Sequence, residues 1–143
     1  MIADDRAEWL RMRCELWPDC SPERHALEIQ EWASQPDGAL LVADAGDGGL
    51  CGFIEVSIRR DHVDGTTSSP VPYVEGWFVD GKYRGRGVGG QLLAAVEQWA
   101  RDSGFKEIAS DAELENRESV AAHAACGFIE TCRAVHFIKR IDL

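Results

Sequence analysis

The chain has 143 residues, with 25 Asp and Glu against 15 Lys and Arg, a formal net charge of −10. The length suits one domain over residues 1–143, and the 45% apolar and 28% charged fractions exclude a disordered chain. The acidic balance opposes encounter with phosphate backbones and anionic membranes, so no nucleic acid and no membrane are expected and a cationic partner suits better. No run nears the ~20 apolar residues of a membrane helix, and Met1-Ile2-Ala3-Asp4-Asp5 lacks the regions of a secretory signal. Five cysteines without a C-x-x-C pair, and four histidines set apart from them, predict reduced thiols in a cytoplasmic protein with no metal.

Trp9, Met12 and Leu16 recur at helical spacing, which predicts a helix over Asp4 to Leu16. A second starts at Ser21-Pro22, where Ser caps and Pro suits the first turn. Its apolar face is read as Ala26, Ile29 and Ala33, and Pro36-Asp37-Gly38 ends it. Ala39 to Asp44 reads as a short strand and Gly46-Asp47-Gly48-Gly49 as a hairpin turn. From Cys51 to Arg59, Ile54, Val56 and Ile58 alternate with Glu55, Ser57 and Arg59, the period of a half-buried strand. Asp61 to Pro72 is a polar connection. Tyr73 to Val79 is a strand interrupted by Gly76, which marks a bulge or a close approach.

Gly87 to Arg101 is the clearest helix, with Val88, Leu92, Val96 and Trp99 on one stripe and Gly104 past its end. A short strand at Glu107 to Ser110, a helix from Asn116 through His123 closed by Gly127, and one or two strands within Phe128 to Ile141 complete the chain. That order predicts an α/β fold, a mixed central sheet flanked by helices.

The segment from Val79 to Gly90 carries the chemistry. Its glycines let successive N–H groups face one concavity, and the helix that follows adds unpaired donors and a partial positive charge, a natural seat for a pyrophosphate. Lys82, Arg84 and Arg86 add full charge. A glycine-rich turn with solvated basic residues fits the same letters. The P-loop signature is absent. Gly85, Gly87 and Gly90 match the dinucleotide fingerprint, but the roughly fifty residues that follow are too few for the rest of that fold.

Arg84-x-x-Gly87-x-Gly89 resembles the acyl-CoA pyrophosphate loop, Q/R-x-x-G-x-G/A, of the GNAT acetyltransferases. The parts from Tyr73 through Asn116 to His123-Ala124-Ala125-Cys126-Gly127-Phe128 are similar in order to that family's. Trp17-Pro18, Ser57-Ile58-Arg59, Ser68-Ser69-Pro70, Val74-Glu75-Gly76, Ala109-Ser110-Asp111 and Glu115-Asn116 resemble the aminoglycoside 6′-N-acetyltransferases within it, nearly end to end. The resemblance implies a sheet splayed open beside Gly76, with acetyl-CoA in the split. Backbone N–H groups near Phe78 and Val79 would hold its carbonyl, and Arg84, Gly85, Arg86, Gly87, Val88, Gly89 and Gly90 its pyrophosphate. Asn116, Ser119 and His123 would lie along the CoA arm, although Asn116 serves equally as an N-cap and His123 as packing. Many relatives carry Tyr, a candidate acid for the leaving thiolate, where this chain has His123. A homodimer is also implied.

An alkylamine is protonated at neutral pH, so acetyl transfer needs a proton acceptor. The resemblance offers Glu75 as base and Asp111 as amine-binding residue, or the reverse. Trp17, Asp19, Tyr73, Glu113 and the loop from Asp61 to Ser69 are candidate walls of the acceptor groove. Core packing for Trp17 and plain surface for Asp19 and Glu113 are the competing readings. The expected function is acetyl transfer from acetyl-CoA to the 6′-amino group of an aminoglycoside. The rivals are a GNAT enzyme acting on a polyamine or peptide, and a non-catalytic CoA- or dinucleotide-binding module.

Overall fold

The computed structural model describes residues 3–34 and 37–142, so Pro36 and the start of the N-terminal segment, Met1-Ile2, lie outside the described residues. Along them run α1 (Ala3–Leu16), α2 (Pro22–Ala33), β1 (Ala39–Asp44), β2 (Leu50–Arg59), β3 (Val71–Val79), α3 (Val88–Asp102), β4 (Ala109–Ser110) and α4 (Arg117–Ala125). The strands form one sheet in the order β1-β2-β3-β4, antiparallel except for the parallel β3–β4 pair. No helix among the described residues is long and apolar enough to cross a membrane.

Ser21 caps α2 as expected, its Oγ accepting the Arg24 N–H at 3.1 Å. The inner face of α2 differs from the alanine stripe read from sequence. His25 and Ile29 are buried and Trp32 half-buried, while Ala26 and Ala33 are exposed. Alanine removes little apolar area from water, whereas the larger side chains three and four residues apart fill the space under the sheet.

β2 is the second departure. Its alternation suggested one solvated face, yet every residue from Leu50 to Val56 is buried. Helices cover both sides. Trp9, Met12, Ile29, Phe53 and Phe78 form the core toward α1 and α2, and Ile54, Val56, Val74, Leu92, Leu93 and Val96 the core toward α3. Glu55, on the first of these faces, is only 1% exposed.

The strands expected between Phe128 and Ile141 are absent from the described residues. That segment passes Gly65, where Thr131 occupies the space a Cβ would need. Ile129, Val135, Phe137, Ile138 and Ile141 are each at least 77% exposed. The apolar pattern of a strand is present, but a strand also needs a neighbour for its N–H and C=O groups.

Candidate functional site

The site grows from the end of β3. The Asp80 N–H donates to the Cys51 carbonyl at 2.7 Å, and Arg11 grips the Asp80 carboxylate with two bonds of 3.0 Å. A 3-10 turn, Gly81–Tyr83, follows. Arg84 then donates from Nε to the Val79 carbonyl at 2.9 Å, folding the loop back on its strand. Gly85 and Gly87 adopt φ of +77° and +81°, backbone that side chains resist, and Gly87 is the N-cap of α3. The first-turn N–H groups of Val88, Gly89 and Gly90 have no intrahelical acceptor. Around them stand Lys82, Arg84 and Arg86, with the Lys82 and Arg86 charges each 5.6 Å from the Tyr83 ring. Arg84 Nη1 reaches Glu118 only at 3.5 Å. The donors and cations of this loop fit a diphosphate.

β3 and β4 pair only through Tyr73–Ala109 and Val74–Ser110. Among the described residues no strand pairs with the β4-side edge of β3 from Glu75 to Val79, which is the splaying that the sequence resemblance implied. Trp77 lines the α3 side of the opening and donates its indole N–H to the Gly89 carbonyl at 3.1 Å. His123 packs edge-on against it, with ring centroids 5.2 Å apart. Its Nδ1–H donates to the Ser119 carbonyl at 2.7 Å, so Nε2 accepts from the Ser110 hydroxyl at 2.7 Å. The Asn116 Oδ1 accepts the Ser119 N–H at 3.1 Å, a working N-cap on α4.

On the other face Gly76 pairs with Glu55 and Val74 with Val56, which leaves Glu75 as the extra residue of a bulge. Arg59 holds the Glu75 carboxylate with two bonds of 2.9 Å, and the Ser57 hydroxyl adds a third at 2.7 Å. The Arg59 guanidinium lies 3.5 Å over the Tyr73 ring, and the Tyr73 hydroxyl donates to Asp111. Burial, reinforced by that carboxylate, pushes the Tyr73 phenol up. Trp17 covers the bulge so closely that a Cβ on Gly76 would lie 2.6 Å from its ring. The loop before β3 is tied down by Glu107, which accepts the Thr67 N–H at 2.9 Å and the Ser68 hydroxyl.

Trp17, Tyr73, Glu75 and Asp111 therefore meet, and residues 84–90 gather at the end of the same strand. Asp19 and Glu113 are exposed, and no bond joins them to this cluster among the described residues. Sequence reasoning missed Ser57 and Arg59 as partners of Glu75. Their alternation on β2 placed them on one face, but only the β2–β3 register sets that face opposite the bulge. It also missed a buried group of Arg13, His25 and Glu55 behind Trp17. Among the described residues Cys20, His25 and Glu28 hold potential metal-ligand atoms within 4.8 Å of one another. Both His25 ring nitrogens are already bonded, however, to Arg13 Nε and to the Trp17 carbonyl, and Arg13 pairs with Glu28.

A cationic glycine turn at a helix N-terminus and an opened strand edge thus lie at one end of β3, with the Glu75 and Asp111 carboxylates linked through Arg59 and Tyr73 beside them. The chain belongs to the acetyltransferase (GNAT) family, whose profile matches residues 5–128. It is 47% identical over 133 residues to an aminoglycoside N(6′)-acetyltransferase type 1 of Stenotrophomonas maltophilia, an alignment covering 93% of this chain and 86% of that one. Its fold is similar to AAC(6′)-Iy in complex with the bisubstrate analog CoA-S-monomethyl-acetylneamine (TM-score 0.89, 40% identity, 99% of this chain and 95% of that one). It is also similar to the aminoglycoside antibiotic 6′-N-acetyltransferase AAC(6′)-Ih from Acinetobacter baumannii (TM-score 0.90, 39% identity, covering 99% and 96%).

Proposed function

We propose that this protein transfers the acetyl group of acetyl-CoA to the 6′-amino group of an aminoglycoside, and that a cell carrying it in its cytoplasm resists such drugs. The observation that carries the reading is the chain Glu75–Arg59–Tyr73–Asp111, which sets two carboxylates on either side of the Tyr73 ring where β3 loses its neighbour. Acetyl-CoA supplies the thioester. Lys82, Arg84, Arg86 and the first N–H groups of α3 neutralise its diphosphate. Of the two residues named from the resemblance, Phe78 turns its N–H toward β2, in step with the Asp80 N–H bonded to Cys51, and Val79 turns its own to the open edge, where it can donate to the thioester carbonyl. In a ternary complex the amine forms its N–C bond as the C–S bond breaks, the electron pair leaving on sulfur and the amine proton passing to a carboxylate.

Asp111 suits that last step. It accepts only the Tyr73 hydroxyl among the described residues, whereas Glu75 already holds three donors. This reverses the order favoured from sequence and leaves Glu75 with Arg59 to orient the acceptor. The wider chain, at net charge −10, draws in a multiply cationic sugar.

The same reading includes a homodimer. Among the described residues no strand pairs with the exposed apolar tail from Ile129 to Ile141 or with the outer edge of β4. Beside that edge a groove of about 230 Å³ is lined by Leu93, Phe105, Ile108 and Phe128. A single apolar side chain from the tail of a second copy would be accommodated there.

The test is thiol release from acetyl-CoA with kanamycin, a 6′-hydroxyl aminoglycoside, spermidine or a lysine peptide as acceptor. Release with kanamycin alone is expected. Release only with spermidine or peptide would move the acceptor to another amine, and silence with bound acetyl-CoA would leave a binding module. Replacing Asp111 with Asn is expected to lower kcat by about 100-fold or more, the scale of a lost general base, whereas Glu75→Gln mainly raises the kanamycin KM.

A further inference from the structure

The buried charges under the bulge have no part in the chemistry above, and they are arranged around one side chain. Arg13 is 3% exposed, His25 0% and Glu55 1%. The Arg13 guanidinium pairs with Glu55 through Nη1 and with Glu28 through Nη2, and its Nε donates to His25 Nδ1 at 3.2 Å. Because arginine is always a donor, His25 Nδ1 is the acceptor, and the opposite nitrogen, Nε2, carries the hydrogen that it gives to the Trp17 carbonyl at 3.1 Å. Glu55 also accepts the Trp9 indole N–H at 2.8 Å. Among the described residues no buried side-chain polar atom is left without a partner.

The same guanidinium lies 4.7 Å over the Trp17 ring, and the His25 ring stacks at 6.0 Å from it. Trp17 is thus held at both its backbone and its ring. The edge of that ring presses on Gly76, the residue next to the bulged Glu75. A buried ion pair contributes little net stability against apolar residues of like volume, so stability alone does not explain it. What it does supply is direction. Three fixed bonds orient a planar guanidinium, and the plane orients the indole.

We propose that Arg13, with His25 and Glu55 behind it, is a positioning residue that fixes Trp17 as the wall of the acceptor site and so sets acceptor affinity. The inference rests on the acetyl-transfer reading above, since it needs an acceptor at the bulge. Arg13 touches neither the reacting atoms nor the diphosphate loop. Its removal therefore acts on the acceptor and leaves acetyl-CoA binding alone.

The experiment is steady-state kinetics on the full chain with kanamycin and acetyl-CoA varied in turn. The variants are Arg13→Lys, Trp17→Ala, their combination, and Arg13→Met/Glu55→Gln, which removes both charges together should a lone lysine fail to fold. In Arg13→Lys the kanamycin KM is expected to rise roughly tenfold, the scale of a desolvated cation–π contact. The acetyl-CoA KM should stay within about twofold, as for an independent site. In the Trp17→Ala background the Arg13→Lys change should leave the kanamycin KM unaltered. A merely structural role would lower kcat with every acceptor at constant KM and add fully to Trp17→Ala, and that result overturns the proposal. An unchanged kanamycin KM in both Arg13 variants overturns it as well, with the acetyl-transfer reading intact. No kanamycin turnover by the unaltered protein overturns both.

Discussion

Replacing Gly76 with Ala tests the packing at the centre of the site. The strand backbone at Gly76 is not in the left-handed region, so alanine meets no conformational penalty and the effect is steric. Its Cβ would sit 2.6 Å from Trp17 Cη2, 3.1 Å from Cζ2 and 3.3 Å from Phe53 Cε2. Carbon atoms settle at about 3.5–4.0 Å, so the indole has to retreat by roughly 1 Å. It cannot swing freely, because Arg13 covers its ring and His25 holds its carbonyl. Overpacking of this kind costs about 1–3 kcal/mol. Urea denaturation should show a lower midpoint at unchanged m-value, with a weaker kanamycin KM alongside. Repeating the change in a Trp17→Ala background should remove most of the stability loss, because the clashing atoms are gone. An unchanged midpoint in Gly76→Ala, or an equal loss in both backgrounds, would refute the packing argument.

Two further outcomes follow from the geometry. Gly87→Ala places a side chain at φ +81° on the N-cap of α3, a strain of about 1–2 kcal/mol. The acetyl-CoA KM should rise while the kanamycin KM holds, and equal changes in both would speak against a diphosphate seat there. Hydrogen bonds from Arg11 and then the Leu50 N–H hold Glu8 below the usual carboxylate range, and those from Ser68 and the Thr67 N–H do the same for Glu107. A depressed acid adds stability above its unfolded pKa, about 4.3, and loses it as pH falls through the folded value. Acid unfolding of a Glu8→Gln/Glu107→Gln protein should accordingly show a flatter limb below about pH 4; an unaltered slope would remove both groups from the account.

The sequence yielded the helices, the first three strands and the cationic glycine turn because each is written in local pattern. A cap at Ser21, a bulge at Gly76 and glycines before a periodic helix need no distant partner to be read. What escaped depends on register or on a neighbour. Glu55 stands at a polar position of an alternating strand, and nothing local says that α1 brings Arg13 over it. Phe128 to Ile141 has strand chemistry but no strand to join. Glu75 and Asp111 were legible as candidates through family resemblance, but their different bonding, a fork on one and a lone hydroxyl on the other, required the β2–β3 register and the β3–β4 pairing.

An acidic chain that takes up an anionic cosubstrate must keep its own carboxylates off that group. Screening confines such effects to about 8–10 Å, so the local charge of the diphosphate loop matters more than the total of −10. Within residues 80–90 stand three cations and one carboxylate, Asp80. Arg11 closes a two-bond fork on that carboxylate, which is 13% exposed, and two further carboxylates, Glu8 and Glu15, bond Arg11 in turn. The fork does two things at once. It occupies both oxygens of the one carboxylate in the loop, and it ties the start of the loop to α1, whose inward face carries Arg13 under Trp17. One helix thereby sets both the electrostatics where the diphosphate would rest and the wall where the amine would approach. Two substrates of opposite charge can then share a cleft in which each meets mainly its own counter-charges.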